Sequence, residues 1–92
     1  MNYVILGFET GCKPCSQLKE LMSDLAIPYQ FVDAKLGGNP TAVTLKKVVK
    51  ELPVKEQVVP ALFRKLDSGN YELLGTGVVA CSDFIKEHYT ND

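Results

Sequence analysis

The chain is 92 residues long, 46% hydrophobic and 23% charged, with 10 basic against 11 acidic side chains and a formal net charge of −1 at pH 7. That size fits one domain spanning residues 1–92 with a modest core, and a charge this close to zero leaves no electrostatic footprint for nucleic acid or an anionic membrane. No apolar run approaches the ~20 residues of a membrane span, and three cysteines are an odd number, too few for a disulfide scaffold.

The first apolar run, residues 3–8 (Tyr-Val-Ile-Leu-Gly-Phe), reads as a strand covered on both faces. It has neither the charged start nor the small-residue cleavage site of a secretory signal. The expected location is therefore a reducing cytoplasm, where paired thiols are catalytic or metal-binding more often than structural. Thr10 and Gly11 break the run. Cys15, Leu18, Leu21, Met22 and Leu25 then recur at steps of three and four, which predicts a helix over residues 13–26. Pro14 is tolerated in its first turn and Pro28 ends it. Tyr29, Phe31 and Val32 mark a second strand closing at Asp33, followed by a loop at Leu36-Gly37-Gly38.

Asn39-Pro40 reads as an N-cap with proline at the first helical position. The stripe Ala42, Leu45, Val48, Val49 and Leu52 continues that helix up to Pro53. A polar connector, Lys55-Glu56-Gln57, leads to Val58-Val59-Pro60. Residues 61–66 and 71–74 read as two strands joined by the turn Asp67-Ser68-Gly69-Asn70, an antiparallel hairpin. The chain turns again at Gly75 and Gly77. Phe84, Ile85, His88 and Tyr89 then form a last helical stripe, with Ser82 or Asp83 expected as its cap. The order β-α-β-α-β-β-α predicts a small α/β sandwich with a mixed four-stranded sheet.

The residues with evident chemistry are Cys12-Lys13-Pro14-Cys15, placed where the first strand gives way to the first helix. A thiolate is the nucleophilic form of cysteine, and a free thiol is mostly protonated at pH 7. The free amides and positive dipole end of a helix N-terminus stabilise negative charge on Cys12, and Lys13 adds a cation. The spacing puts Cys15 one turn on, within reach of a mixed disulfide formed at Cys12. Pro14 stiffens the turn between them, and the small Thr10 and Gly11 leave the corner open to a substrate.

Other readings of the same pair stay open at this stage. Zinc needs four ligands, and no second Cys or His pair accompanies this one; Cys81 and His88 lie near the last helix, and no metal site is expected. Inert core cysteines are common, though the polar Gly11–Pro14 setting is a poor core environment for Cys12. An Fe–S or metal-carrying module, with Cys12 ligating a cluster shared between protomers, is the alternative from a non-enzymatic class. A redox-inert scaffold is the third.

The chain resembles the thioredoxin superfamily, and is closest in size and layout to the glutaredoxins. The resemblance runs from Tyr3 to about Tyr89. It is carried by T-G-C-K-P-C-S-Q-L-K-E-L at residues 10–21, by V-V-P-A-L-F at 58–63, and by G-T-G at 75–77 before the final helix. It implies a thioredoxin-like, glutaredoxin-type fold and a dithiol–disulfide oxidoreductase with Cys12 as nucleophile and Cys15 as resolving thiol. It also implies a cis Pro60 against the cysteines, with the Val59 backbone as the substrate-docking edge. Without the resemblance, Pro60 is simply a proline allowed at the start of a strand.

The departures are specific. Gly11 stands where thioredoxins usually carry tryptophan, and Leu6 where they bury an aspartate, with Glu9 as a substitute acid. Pro14 replaces the aromatic residue many glutaredoxins place before the second cysteine, and Val58 replaces a threonine. The resemblance implies no tightly bound cofactor, glutathione as reductant, and a monomer acting on disulfide-containing proteins or glutathione. Ribonucleotide reductase is an implied client, and a thioredoxin reductase the alternative electron donor. Cys81-Ser82-Asp83 looks like the glutaredoxin segment that binds the γ-glutamyl carboxylate of glutathione at a helix N-terminus. In a second alignment Gly77 opens a thioredoxin-like loop, and Ser82 and Asp83 are helix caps. Whichever alignment holds, Cys81 reads as a small residue near the start of the last helix rather than a third redox thiol, His88 as a packed or half-exposed helical residue rather than a proton shuttle, and Lys19 as a solvated charge.

Overall fold

The computed structural model describes residues 2–35 and 38–89; of the expected 36–38 loop, Leu36 and Gly37 lie outside them. The first apolar run forms β1 (Asn2–Gly7), and the stripe that follows forms α1 (Lys13–Asp24). Then come β2 (Tyr29–Asp33), α2 (Pro40–Lys50), β3 (Ala61–Lys65), β4 (Tyr71–Thr76) and α3 (Val78–Tyr89). The connector before β3 holds a single 3-10 turn, Val54–Glu56. The four strands make one mixed sheet in the order β2-β1-β3-β4. β1 runs parallel to β2 and antiparallel to β3, and β3 and β4 form the expected hairpin.

Alternation along β1 divides the core between the two faces of the sheet. Tyr3 and Ile5 point to one face, where they pack with Leu18 and Met22 of α1 and with Cys81 and Ile85 of α3. Val4 and Leu6 point to the other, against Ala42, Leu45 and Val49 of α2. Because β1 is covered on both sides, it reads as a continuous apolar run rather than an alternating one.

Several boundaries shift by one or two residues from the sequence expectation, and three differences bear on the packing or the site. α1 stops at Asp24, short of residue 26, because Ala26 takes a left-handed conformation with φ 55. The amides of Ala26 and Ile27 then bond to the carbonyls of Ser23 and Met22 at 3.0 and 2.8 Å, closing the helix before Pro28 is reached. Leu25 is consequently 37% exposed and leaves the buried stripe. β4 extends through Thr76, since Gly75 and Thr76 still pair with Leu62 and Ala61. The third difference matters most for the site. α3 begins at Val78, so neither Ser82 nor Asp83 caps it, and both stand a turn inside the helix. Gly77, with φ 85, makes the turn, and its carbonyl accepts the Cys81 amide at 3.1 Å as an opening helical bond.

Candidate active site

β1 ends at Gly7, and the chain reaches the start of α1 through residues 8–12. Gly11 has φ 73, a conformation that strongly favours glycine, with open space where a Cβ would stand. Cys12 is the N-cap of α1, with φ −123 and ψ 97, and its Sγ accepts the Cys15 backbone N–H at 3.2 Å. The Cys12 carbonyl takes the Ser16 amide at 3.2 Å and the Ser16 hydroxyl at 3.3 Å. The Sγ atoms of Cys12 and Cys15 lie at disulfide distance, with the Cα atoms 5.3 Å apart. Their exposures differ: Cys12 is half-buried and Cys15 only 1% exposed. Lys13 and Pro14, between them, are both exposed. An incoming sulfur therefore meets Cys12 first.

Gly7 is the residue that sequence reasoning missed. A Cβ built on it would lie 2.8 Å from the Cys15 Sγ and 3.3 Å from the Phe31 ring. Only hydrogen fits where the end of β1 passes under the second thiol. The signal was available, because a glycine inside a strand pattern marks either a bulge or a close approach.

The Phe31 ring carries the Lys19 ammonium over its face, 3.7 Å from the centroid. The same ammonium lies 3.7 Å from the Glu9 carboxylate. Lys19 is thus a packed cation rather than a solvated charge. The Glu9 side chain is 61% exposed, so it does not stand in for a buried acid beside Cys15. Leu6, at the other proposed acid position, packs on the α2 face.

The sheet register brings the second predicted segment to the same end. Leu6 pairs with Ala61, so one further step sets Gly7 opposite Pro60. Ala61 pairs with Thr76, and the next step, Pro60 to Gly77, is closed by a 2.8 Å bond from the Gly77 amide to the Pro60 carbonyl. The Val59–Pro60 peptide bond is cis. Among the described residues, neither the N–H nor the C=O of Val59 has a hydrogen-bond partner. Gly77 also backs this segment, since its Cβ position is 3.5 Å from a methyl of Val58.

Cys81 lies behind that edge and is fully buried. Its S–H is within hydrogen-bonding distance of the Pro60 carbonyl at 3.5 Å and the Gly75 carbonyl at 3.4 Å. Burial pushes its thiol up to about 11, with a hydrogen bond from the Leu62 backbone pulling the other way. Ser82 is half-buried and Asp83 exposed, while the amides at the start of α3 belong to Val78, Val79 and Ala80. His88 is exposed on α3, with its ring stacked on that of Phe84 at 3.9 Å between centroids.

Among the described residues no group of three or more His, Cys, Asp or Glu side chains converges on a metal position, and no helix is long and apolar enough to cross a membrane. The α/β arrangement, its open four-stranded mixed sheet and the Cys-X-X-Cys corner are compatible with a thioredoxin-like fold, and the pair fits a redox-active site. Compared with models of known protein families and with curated proteins, the chain matches none.

Proposed function

We propose that this protein is a thiol–disulfide oxidoreductase of glutaredoxin-like type, working through Cys12 and Cys15. The observation that carries the reading is the asymmetry of the pair. One sulfur is half-exposed at a helix N-cap, and the other is buried one turn on, at disulfide distance from the first.

In the reduced protein the Cys12 thiolate, favoured by the helix N-terminus, attacks one sulfur of a substrate disulfide. A Cys12–substrate bond forms, the substrate S–S bond breaks, and the first substrate sulfur leaves as thiolate. Cys15 then gives up its proton and attacks the Cys12 Sγ. The Cys12–Cys15 bond forms and the second substrate sulfur departs, so the substrate has gained two electrons that the protein has lost. A thiol reductant returns the pair to the dithiol; glutathione is the one the sequence resemblance implies. The free N–H and C=O of Val59 support its assignment as the docking edge, since they are the groups an extended substrate segment would pair with.

The test is turnover of a small disulfide by the wild type and two variants. Cys12→Ser should lose all reduction, and Cys15→Ser should accumulate a mixed disulfide with substrate, visible by intact mass. Wild-type-like turnover in Cys12→Ser would sink the assignment.

A further inference from the structure

A groove of about 340 Å³ opens on the α2 face of the sheet, beside the 57–59 segment. Its lining is largely apolar, with Leu6, Phe8, Val49, Val58 and Val59. Its rim is cationic. Lys46 and Lys50 both line it, one helical turn apart on α2. The Lys46 ammonium donates to the Ala34 carbonyl at 3.0 Å, which seats it at the end of β2 with donor capacity to spare. The Lys35 ammonium stands 4.8 Å from the centroid of the Phe8 ring. Among the described residues no carboxylate lines the groove. The acids next in sequence to lining residues are Glu9, 3.7 Å from the Lys19 ammonium, Asp33, whose Oδ1 accepts the Lys35 amide at 2.9 Å, and the exposed Glu51 and Glu56.

The groove shares Val59 with the docking edge, and that continuity points to its occupant. A polypeptide lying along Val59 would pair with its free N–H and C=O, and strand alternation would send the side chains next to the pairing residue towards the groove. A largely apolar lining beside two or three ammonium groups suits an apolar residue adjoining carboxylates. A single-sign cluster of charge also speeds encounter with a partner of opposite sign.

Resting on the oxidoreductase reading above, we propose that this groove selects protein disulfides flanked by acidic residues. An apolar side chain of the flank packs over Phe8 and Val58, and its neighbouring carboxylates meet Lys46 and Lys50.

The test uses two disulfide-linked peptides that are identical except that two glutamates beside the cysteine in one are lysines in the other. Glutathione disulfide and the uncharged bis(2-hydroxyethyl) disulfide serve as comparisons. With the wild type at low salt, kcat/KM for the acidic peptide should exceed that for the basic one by about fivefold or more. The ratio should collapse towards one at about 0.5 M salt, because such contacts are screened. In Lys50→Glu the ratio should fall or invert, and because it is internal to one variant it is insensitive to how much of that variant is folded. A wild-type ratio near one overturns the proposal, as does preference for glutathione disulfide with no distinction between the peptides. Failure of the wild type to reduce bis(2-hydroxyethyl) disulfide would instead sink the redox reading. The groove is then read by NMR titration of the oxidised protein with the same peptides carrying serine for cysteine. Shifts at Val58, Lys46 and Lys50 with the acidic peptide alone support acidic docking, and their absence overturns it.

Discussion

Helices α1 and α2 both open on a capping side chain followed within two residues by proline, yet the caps differ in kind. At α2 the Asn39 Oδ1 accepts two backbone amides, those of Thr41 at 3.0 Å and Ala42 at 3.3 Å. At α1 the acceptor is the Cys12 sulfur, which takes one amide, that of Cys15 at 3.2 Å. A side-chain amide oxygen is among the best N-caps, whereas a thiol is a weak acceptor. The position that would most simply be filled for stability at α1 is given to the sulfur that the proposed function makes the nucleophile, at a helix end that favours an anion. α3 adds a third case. Its first-turn cysteine, Cys81, faces carbonyls and is kept as a neutral thiol by burial.

The most severe break of this comparison is Cys12→Ser. It should remove turnover completely while stabilising the reduced protein by about 1 kcal/mol, since serine caps a helix better than cysteine. Denaturant unfolding under reducing conditions reads the second effect. A less stable serine variant would show that the sulfur was the better cap after all.

Next in size is Gly7→Val. The new side chain must displace the Cys15 sulfur or the Phe31 ring, which are 2.8 and 3.3 Å from its Cβ position. Overpacking of this kind costs about 3 kcal/mol at the upper end of its usual range. Turnover should fall with it, because the resolving thiol is pushed from its place. An unchanged melting temperature and rate would remove Gly7 from the site.

The contrast between the thiols has a pH signature. The Cys81 thiol is raised from 9.0 to about 11 in the folded protein, so the unfolded chain ionises first as pH rises. The stability this group contributes is present in full below pH 9 and is lost as pH climbs towards 11. The loss amounts to about 3 kcal/mol. Cys81→Ala should flatten that part of the stability curve and leave the Tyr3 contribution, which lies at higher pH because burial and the neighbouring Tyr89 raise its phenol from 10.0. An identical pH profile in wild type and variant would contradict the assignment. The smallest effect belongs to the ordinary cap: Asn39→Ala should cost about 1 kcal/mol and leave turnover per folded molecule unchanged.

Much of this arrangement was legible beforehand, because the signals were local. The double-covered run of β1, the stripe of α1, Asn39-Pro40 before α2 and the Asp67–Asn70 turn each declare themselves within a few residues. The cysteine corner was equally plain, since its chemistry depends on a spacing and a helix start. The start of α3 was misplaced because serine and aspartate are strong caps in isolation. The carbonyl of Gly77, held by the Gly77 amide's bond to Pro60, opens the helix five or six residues before a Ser82 or Asp83 cap would. Long-range contacts were out of reach for the same reason. Gly7 itself signals a close approach, but nothing near it says that Cys15 is what approaches, and nothing near Lys19 announces the Phe31 ring beneath it.

The central claim is that Cys12 is the reactive thiol of the three. Limited alkylation of the fully reduced protein at pH 7, with the first modified site mapped by mass spectrometry, tests it directly. Cys12 should be alkylated first, at a rate about tenfold or more above those of the buried Cys15 and Cys81. Equal, slow modification of all three, or Cys81 reacting ahead of Cys12, would contradict it.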